Sequence, residues 1–462
     1  MQASVETVPP HPSDQPLLRL WGLTLASGLL LGIGSPSWAI PVFTIAGLVC
    51  LTQAQGSTWR GDVLRGGIIT SLAAAVSLRW IPAAWAGYAG DGGLGAWLFV
   101  SLVHALPGAV ALGVNGVLRR REVHPAVALG IGMLLGEASC RVLPIPLGFT
   151  SGLAQAWPIL GPAGIAGRPL LAGLVGAILG SGRDRRSWTL TALLWLLTVR
   201  VFVHWSGDVV TVGLVQTGVD GFDARRPSTA EDRAAFLLEA THLPADWVLT
   251  PEGAWPWALG RTDRGRTAFL DAWAGHPPVL LGGNTDGGTV YNSVALIEDG
   301  QVTERVDKHF LIPFAEGEAL GMPGRYAAGS NSRDVFVSGT RISVLVCWED
   351  VLPLAISTVS ASTDVLALPS SDVWLGPMGQ AHHLDAARFA AVTTGRWAVR
   401  ATPTGHSVVL TPTGRVAARL DTPGSAVVSV RKRRLPWNPA ALGTWISLLV
   451  GLSTLVIVGR KR

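Results

Sequence analysis

The distribution of apolar residues limits the fold of this chain more than any single motif does. Residues 16–206 and 444–459 are almost free of acidic side chains, whereas residues 218–435 have an ordinary mixture. Charged residues make up 15% of the 462-residue chain, against roughly 25% in a soluble globular protein. The pattern predicts a membrane part, a water-exposed part and one final membrane segment.

Eight stretches are apolar and long enough to be membrane-spanning helices, each of which needs about 20 mostly apolar residues. They cover residues 16–34, 38–54, 62–82, 93–117, 124–140, 161–180, 187–206 and 444–459. One or two helices would suffice as an anchor. Seven helices before the water-exposed part favour a membrane part that holds a lipid substrate beside it.

The N-terminal segment favours a first helix that is retained. Glu6 and Asp14 precede Arg19, which is the first basic residue of the chain. A cleaved signal peptide begins with basic residues, so this segment is not typical of one.

Basic residues predict the orientation of the membrane part. If the N-terminus is cytoplasmic, the inside segments are 55–61, 118–123, 181–186 and the tail after residue 459. These segments contain the arginine clusters, whereas the outside loops 35–37 and 83–92 contain no lysine or arginine. The positive-inside bias therefore places residues 207–443 outside the cytoplasm. The basic run RKRRL at 431–435 does not fit, but long translocated domains largely escape this rule.

The net charge of +5 comes from clusters that flank apolar stretches, at 119–121, 183–186 and 460–462. Such clusters are typical of anchors on the cytoplasmic face of a membrane, so we do not expect a nucleic-acid partner. His382 and His383 are neighbours on a predicted helix, but no set of spaced Cys and His residues accompanies them. We therefore expect ordinary helix residues there and no bound metal.

From residue 209 the pattern changes to short β-rich runs separated by Gly, Pro and Asp. Predicted strands cover 209–216, 246–252, 278–284, 289–298, 341–349, 364–370 and 396–404. Amphipathic helices are predicted at 228–242 and 379–395. Apolar strands that alternate with such helices indicate an α/β sandwich with buried sheets.

Three segments of this region carry reactive side chains, each at or near the end of a strand. LTPEGAWP places Glu252 after an apolar strand, and DKHFLIPFAEGE contains Lys308 and Glu316. SVLVCWED places Cys347 at the end of a strand, before Trp348 and Glu349. Cys347 is the only cysteine of the water-exposed part, so it has no disulfide partner there. Alone it would be an inert packing residue, but a base and a cation nearby would activate its thiol.

These motifs resemble the Glu-Lys-Cys triad of the nitrilase-type carbon–nitrogen hydrolases. Within that superfamily, the apolipoprotein N-acyltransferase family places such a domain between its last two transmembrane helices, and the resemblance covers nearly the whole chain. Further segments similar to that family are LLGEASCRVLPIPLGF (134–149), YNSVAL (291–296), SSDVWLGPMGQAHH (370–383) and ATPTGHS (401–407). The chain departs from the family at Leu368, Ser371, Pro403 and Thr404, where asparagines are common, and at Trp348, where tyrosine is familiar. These departures bear on the shape of the pocket.

Lysine usage agrees with the resemblance. Only three of the 36 basic residues are lysines, namely Lys308, Lys432 and Lys461, yet one of them stands at the triad position. The compact ammonium of lysine fits beside an oxyanion where the planar guanidinium of arginine does not.

The resemblance implies an αββα nitrilase-like sandwich at 207–435, after a seven-helix membrane domain at 1–206 and before a last transmembrane helix and cytoplasmic tail at 436–462. It implies that Glu252 is the general base, that Cys347 is the nucleophile, and that Lys308 with a backbone N–H near Trp348 stabilises the oxyanion. Glu316 and Glu349 match acidic positions that support the triad.

The substrates implied are a phosphatidylethanolamine-like phospholipid, which donates an acyl chain, and a diacylated apolipoprotein, which accepts it. The reaction needs no cofactor, and the enzyme is expected to act as a monomer in the bacterial cytoplasmic membrane. Two alternatives stay open at this point: a membrane-tethered amidase or nitrilase that uses water as the acceptor, and a non-catalytic membrane scaffold. The intact set of Glu252, Lys308 and Cys347 argues against the scaffold.

Overall fold

A computed structural model describes most of the chain. The described residues are 17–36, 38, 40–182, 184–203, 207–219, 227–259, 270–285, 288–313, 315–318, 324–433 and 435–459. Several predicted features lie outside them: the N-terminal segment to residue 16, Arg183, the end of the seventh predicted span at 204–206, and the basic cluster 460–462.

Helices form where the sequence predicts membrane spans. They are α1 (Leu17–Gly34), α2 (Pro41–Gln53), α3 (Trp59–Ser77), α4 (Ile81–Ala89), α5 (Gly93–Val103), α6 (Ala105–Arg120), α7 (Pro125–Ser139), α8 (Ala163–Gly180) and α9 (Arg185–Val203). Proline stands in the first turn of α2, α4 and α7, where its missing N–H costs no hydrogen bond. A last helix follows the sandwich; it is numbered α13 and spans Pro439–Gly459.

One predicted span is wrong in detail, and another forms a single candidate span over Gly93–Arg120 although two helices make it up. The span predicted at 62–82 is bent by 50° between α3 and α4, and the span predicted at 93–117 consists of α5 and α6, which meet at His104. By length and composition, five segments of the described residues could cross a membrane, or six if the bent pair counts as one. The predicted total of eight spans stays a prediction.

Glycine allows α3 and α6 to pack backbone against backbone. A Cβ atom on Gly66 would lie 2.1 Å from the carbonyl oxygen of Gly108, closer than any side chain can approach. Small residues at such crossings are typical of helix packing in membranes, where close van der Waals contact replaces the hydrophobic effect as the main attraction between helices.

The predicted cytoplasmic segments meet at one end of this helical part. Arg119 donates to the Gln55 side chain over 2.7 Å, and Arg120 donates to the carbonyl oxygen of Ser57. Arg121 reaches the carbonyl oxygen of Val458, near the end of α13, over 2.9 Å. His124, after the second of these segments, lies 3.5 Å from Asp184 in the third. The basic segments therefore share one end of the helical part, and the side of the membrane that this end faces stays a prediction.

The water-exposed part is a sandwich of two six-stranded sheets. The strands are β1 (Val209–Gln216), β2 (Trp247–Leu249), β3 (Val279–Asn284), β4 (Asn292–Glu298), β5 (Gln301–Asp307), β6 (Asp334–Val337), β7 (Thr340–Val344), β8 (Val365–Pro369), β9 (Trp397–Ala401), β10 (Ser407–Leu410), β11 (Val416–Leu420) and β12 (Gly424–Arg431). The first sheet has the order β12-β1-β2-β3-β4-β5 and the second β11-β10-β9-β8-β7-β6. In each sheet three neighbouring strands are parallel: β1, β2 and β3 in the first, and β7, β8 and β9 in the second.

Three apolar layers hold the sandwich together. One lies between the sheets and includes Val212, Leu249 and Val344. On the outer faces, α10 (Pro227–Thr241) covers the first sheet and α12 (Gly376–Thr394) covers the second. This confirms the expected αββα architecture. The short helix α11 (Pro353–Ser357) lies beside α12.

The predicted strand at 341–349 is too long. Strand β7 ends at Val344, and Cys347 begins a 3₁₀ turn over Cys347–Asp350. The prediction failed because the apolar run continues to Val346, although the backbone leaves the sheet after Val344. The sequence reading also omitted β5, β6, β10, β11 and β12.

The sandwich is joined to the membrane helices by polar contacts as well as by the chain. The Trp437 indole donates to the carbonyl oxygen of Ile165 over 3.0 Å, and the Arg168 guanidinium lies 4.6 Å from the centre of the Phe389 ring. Asn438 is nearly buried. Its amide group donates to the carbonyl oxygens of Ile356 and Val359, and its side-chain oxygen accepts the N–H of Ala440 at the start of α13.

We expect Asn438→Ala to lower the unfolding temperature of the detergent-solubilised protein. The change removes a helix cap, typically worth ~1 kcal/mol, and leaves buried carbonyl oxygens without a donor, at about 1–3 kcal/mol. Asn438→Asp is the matched comparison, because it keeps the cap acceptor but replaces the donor by a negatively charged oxygen beside the same carbonyl oxygens. An unfolding temperature for the alanine variant equal to that of the wild type would contradict this role for Asn438.

Candidate active site

The reactive side chains lie where strands of both sheets end. Glu252 follows β2 by three residues, and Cys347 follows β7 by the same interval. Lys308 comes directly after β5. The carboxyl ends of parallel strands form the usual crevice for ligands in α/β proteins. The fold thus brings together residues that are 56 and 39 positions apart in the chain.

Lys308 lies between two carboxylates. Its Nζ atom is 2.8 Å from Glu316 Oε1 and 3.4 Å from Glu252 Oε1, and the lysine has no solvent exposure. Asn292 Nδ2 donates to the same two oxygens, over 2.6 Å to Glu252 and 3.2 Å to Glu316. The N–H of Ile312 donates to the second oxygen of Glu316. These contacts fix both carboxylates around a single ammonium.

Cys347 has an unusual backbone conformation. Its φ angle is +51°, in the left-handed region that residues other than glycine rarely adopt. Its side chain is almost fully buried, and the N–H of Ser371 donates to its sulfur. Strained residues of this kind cluster at functional sites, where the surrounding contacts hold them in place.

The negative charges of Glu252 and Glu316 raise the pKa of both the Cys347 thiol and the Lys308 ammonium. Burial raises the pKa of the Cys347 thiol well above its ordinary value, and the negative charge of Glu252 raises it further, against the opposing effect of Lys308. Burial alone would lower the pKa of Lys308, but the negative charges of Glu316 and Glu252 outweigh it and raise that pKa well above the ordinary value. The resting site therefore contains an ammonium and a neutral thiol, which needs a base to become a nucleophile.

Glu349 ties the lysine segment to the cysteine turn. One carboxylate oxygen accepts the N–H groups of His309 and Phe310, directly after Lys308, and lies 3.0 Å from Arg333 Nη1. The other oxygen accepts the N–H of Val346, directly before Cys347. Glu349 has no solvent exposure. It is therefore a buried connecting residue rather than a surface carboxylate.

Trp348 faces the membrane part. It packs in one apolar cluster with Trp80 and Ile81, at the break between α3 and α4, and with Leu147 and Leu375. The residue next to the sulfur thus shares an apolar cluster with residues of the membrane helices, which places the site on the side of the sandwich that packs against them.

The departures from the family motifs occupy distinct positions. Leu368 is buried in β8, while Ser371 supplies the N–H that contacts the Cys347 sulfur. The carbonyl oxygen of Pro403 accepts the N–H of Gly218 over 2.7 Å, which ties the segment after β9 to the end of β1. Thr404 follows in the same turn.

The sequence reading missed several polar residues of the site. Asn292 lies in the YNSVAL segment, which was noted as family-like without a role. His383 was expected to be an ordinary helix residue, but its Nε2 atom lies 2.8 Å from Asp350 Oδ1 and 3.3 Å from the carbonyl oxygen of Cys347. Arg400 and Asp372 form a buried ion pair nearby, at 2.9 Å.

Comparison with known proteins agrees with the sequence resemblance. The carbon–nitrogen hydrolase family profile matches residues 273–432. An apolipoprotein N-acyltransferase from Gloeobacter violaceus is 28% identical over 443 residues, covering 85% of this chain and 84% of that protein. A protein of the same name from Nitrosomonas europaea is 26% identical, and the alignment covers 59% of each. This chain is similar to apolipoprotein N-acyltransferases over most of its length. It is an acyltransferase enzyme that carries a carbon–nitrogen hydrolase domain.

A similar solved structure is that of Saccharomyces cerevisiae Nit3, a member of branch 10 of the nitrilase superfamily. It is 19% identical, and the match covers 49% of this chain and 91% of that one with a TM-score of 0.38.

The raised pKa of Cys347 predicts slow alkylation at neutral pH. We expect the rate of Cys347 alkylation by iodoacetamide to keep rising above pH 9, because the thiolate forms only above the pKa of ~8.5 of a free cysteine. In Glu252→Gln the profile shifts to lower pH, because the neutral amide removes a negative charge that raises the thiol pKa. Labelling is read by peptide mass spectrometry, with Cys347→Ala as the background control. A rate plateau below pH 7 in the wild type would refute the neutral resting thiol.

Proposed function

We propose that the chain transfers a fatty acyl chain from a membrane phospholipid to the α-amino group of the diacylglyceryl-cysteine at the N-terminus of apolipoproteins. The observation that carries the proposal is a buried cysteine beside a carboxylate and an ammonium, in a domain that packs directly on membrane helices. The names of the relatives support lipoprotein N-acylation as the outcome.

In the first half-reaction, Glu252 takes the proton of the Cys347 thiol as the sulfur attacks an ester carbonyl of the phospholipid. The carbonyl oxygen becomes an oxyanion, which the Lys308 ammonium and the N–H of Trp348 stabilise. An oxyanion donor of this kind is typically worth about 3 kcal/mol. The carbon–oxygen ester bond breaks, the lysophospholipid oxygen takes the proton from Glu252, and an acyl-thioester remains on Cys347.

In the second half-reaction, the α-amine of the diacylated N-terminal cysteine attacks the thioester carbonyl. The same donors stabilise the oxyanion, and Glu252 takes a proton from the amine. The carbon–sulfur bond breaks, the sulfur recovers the proton from Glu252, and the acceptor leaves as an amide. Since one carboxylate serves both steps, its position beside both the thiol and Lys308 is essential.

The surroundings of Cys347 favour transfer over hydrolysis. The thiol, Glu252 and Lys308 are each buried, which keeps water from the thioester. The apolar cluster that Trp348 shares with Trp80 and Ile81 provides apolar surroundings on the membrane side of the site. Hydrolysis of a soluble amide would need neither the exclusion of water nor apolar surroundings on the membrane side.

We also propose that residues 207–435 form the extracytoplasmic catalytic domain of a protein of the bacterial cytoplasmic membrane. The grouping of the basic segments at one end of the helical part supports this orientation. We propose that the enzyme acts as a monomer, because one chain supplies the glutamate, the lysine and the cysteine.

Intact mass spectrometry tests the reaction. Purified wild type incubated with phosphatidylethanolamine is expected to gain the mass of one acyl chain, which hydroxylamine removes and a diacylated lipopeptide discharges. Cys347→Ala is expected to gain nothing, because it lacks the sulfur. If the folded, thiol-reactive wild type forms no adduct, the acyltransferase mechanism fails. Ammonia release from a soluble amide would then favour the tethered amidase.

Cysteine labelling in cells tests the orientation. In a Cys347→Ala background, we expect Thr422→Cys in the sandwich to react with a membrane-impermeant maleimide in intact spheroplasts. Arg185→Cys, at the start of α9, is expected to react only after permeabilisation. Both positions are exposed on the protein surface, so a difference in their labelling reports the side of the membrane on which each residue lies. The parent protein, which retains Cys50 and Cys140, gives the background. The reverse pattern would place the catalytic domain in the cytoplasm.

A further inference from the structure

A buried cluster of four charged or titratable side chains lies behind Cys347 and takes no part in the mechanism above. His383 lies 2.8 Å from Asp350 through its Nε2 atom and 3.8 Å from Asp372 through its Nδ1 atom. Arg400 is 2.9 Å from Asp372 and 3.8 Å from Asp350. Arg400, Asp350 and Asp372 have no solvent exposure, and His383 has 2%. Placing so many polar groups in a core is costly unless their partners are well arranged.

One contact of this cluster reaches the nucleophile's own backbone. His383 Nε2 lies 3.3 Å from the carbonyl oxygen of Cys347. Both neighbours of this nitrogen, a carboxylate and a carbonyl, are hydrogen-bond acceptors, so the nitrogen carries the hydrogen. The single Nε2–H is therefore shared between two acceptors: the Asp350 carboxylate at 2.8 Å, which orients the imidazole, and the Cys347 carbonyl oxygen at 3.3 Å.

That carbonyl group belongs to the same peptide unit as the N–H of Trp348. A trans peptide is planar, and its C=O and N–H point in opposite directions. No cis peptide bond occurs among the described residues. A donor that holds the carbonyl oxygen on the α12 side therefore turns the Trp348 N–H away from α12. The φ angle of +51° at Cys347 leaves this peptide in a conformation that needs such support.

We propose that His383 is a positioning residue that, oriented by Asp350, holds the Cys347–Trp348 peptide so that the Trp348 N–H faces the oxyanion. The inference rests on the proposed function, since it concerns the donor that stabilises the tetrahedral intermediates there.

The ion pair between Asp372 and Arg400 supports the backbone donor at the Cys347 sulfur, as His383 supports the donor at the oxyanion. Asp372 accepts from Arg400 and follows Ser371, whose N–H donates to the Cys347 sulfur. Arg400 is itself fixed to the carbonyl oxygen of His406 over 3.0 Å. The cluster thus supports two backbone donors, one at the sulfur through Asp372 and one at the oxyanion through His383.

A role at the oxyanion can be separated from a role in folding or in thiol chemistry. Alkylation by iodoacetamide occurs at a saturated carbon and forms no oxyanion. Acylation by an ester passes through a tetrahedral oxyanion. A variant that misplaces only the Trp348 N–H therefore loses acylation and keeps alkylation.

The experiment compares both reactions in His383→Ala, His383→Gln and the wild type, in the full-length detergent-solubilised protein. Acylation is followed by intact mass with phosphatidylethanolamine and, separately, with p-nitrophenyl butyrate. Loss of an oxyanion donor typically costs about 10²–10³-fold, so we expect a misplaced donor in His383→Ala to slow acylation by about 10- to 100-fold. The alkylation rate is expected to stay within about 3-fold of the wild-type rate, a much smaller change than the loss of an oxyanion donor causes.

Matched variants complete the design. His383→Gln can place an amide N–H near the Cys347 carbonyl and is expected to recover part of the acylation rate. His382→Gln is the control, because His382 is an equally buried neighbour with no contact to the Cys347 carbonyl among the described hydrogen bonds. It is expected to acylate at the wild-type rate. If His383→Ala does not fold, Asp350→Asn replaces it, with a smaller effect of the same kind expected.

Two results would overturn the inference: acylation and alkylation falling together in a folded His383 variant, or acylation unchanged. Failure of the wild type to react with phosphatidylethanolamine would instead count against the proposed function. The p-nitrophenyl ester would still report on the oxyanion in that case, so the two failures are distinguishable.

Discussion

A lysine ammonium with no solvent exposure has to be compensated by charges inside the protein. Lys308 meets this requirement with Glu316 at 2.8 Å and Glu252 at 3.4 Å. Removing one partner of a buried ion pair typically costs about 3–5 kcal/mol, so the three groups depend on one another. The two carboxylates and the ammonium together have a net charge of one negative unit, which helps to keep the neighbouring Cys347 thiol neutral. The same arrangement that makes the lysine tolerable therefore makes a general base necessary.

Holding this arrangement requires the two sheets to keep a fixed register, because Lys308 follows a strand of the first sheet and Cys347 a strand of the second. Glu349 supplies the link, since its two oxygens accept N–H groups on either side of that gap. Hydrogen bonds to a charged acceptor contribute about 1.5–3 kcal/mol each. The 3₁₀ turn that contains Glu349 therefore connects the two sheets and also carries Cys347.

Much of this could be predicted from the sequence, for identifiable reasons. Strands such as β8 are buried on both faces and show as continuous apolar runs, and the triad residues follow such runs. Strands β5, β11 and β12 have exposed, polar positions, so no apolar run revealed them. His383 could not be assigned, because its partner Asp350 lies 33 residues away and only the packing of α12 brings them together. The bend after α3 was missed because hydropathy continues through the break.

The packing of Trp348 in one apolar cluster with Trp80 and Ile81 has a consequence for the choice of substrate in the proposed reaction. The sulfur is one residue away from a side chain seated on the membrane helices, so its height relative to them is fixed. A lipid that drifts within the bilayer presents its ester groups at a level set by its glycerol backbone. In the proposed reaction with a phospholipid donor, the fixed level of the sulfur therefore selects among acyl groups by depth, since only an ester that reaches that level is attacked, before the shape of any pocket is tested.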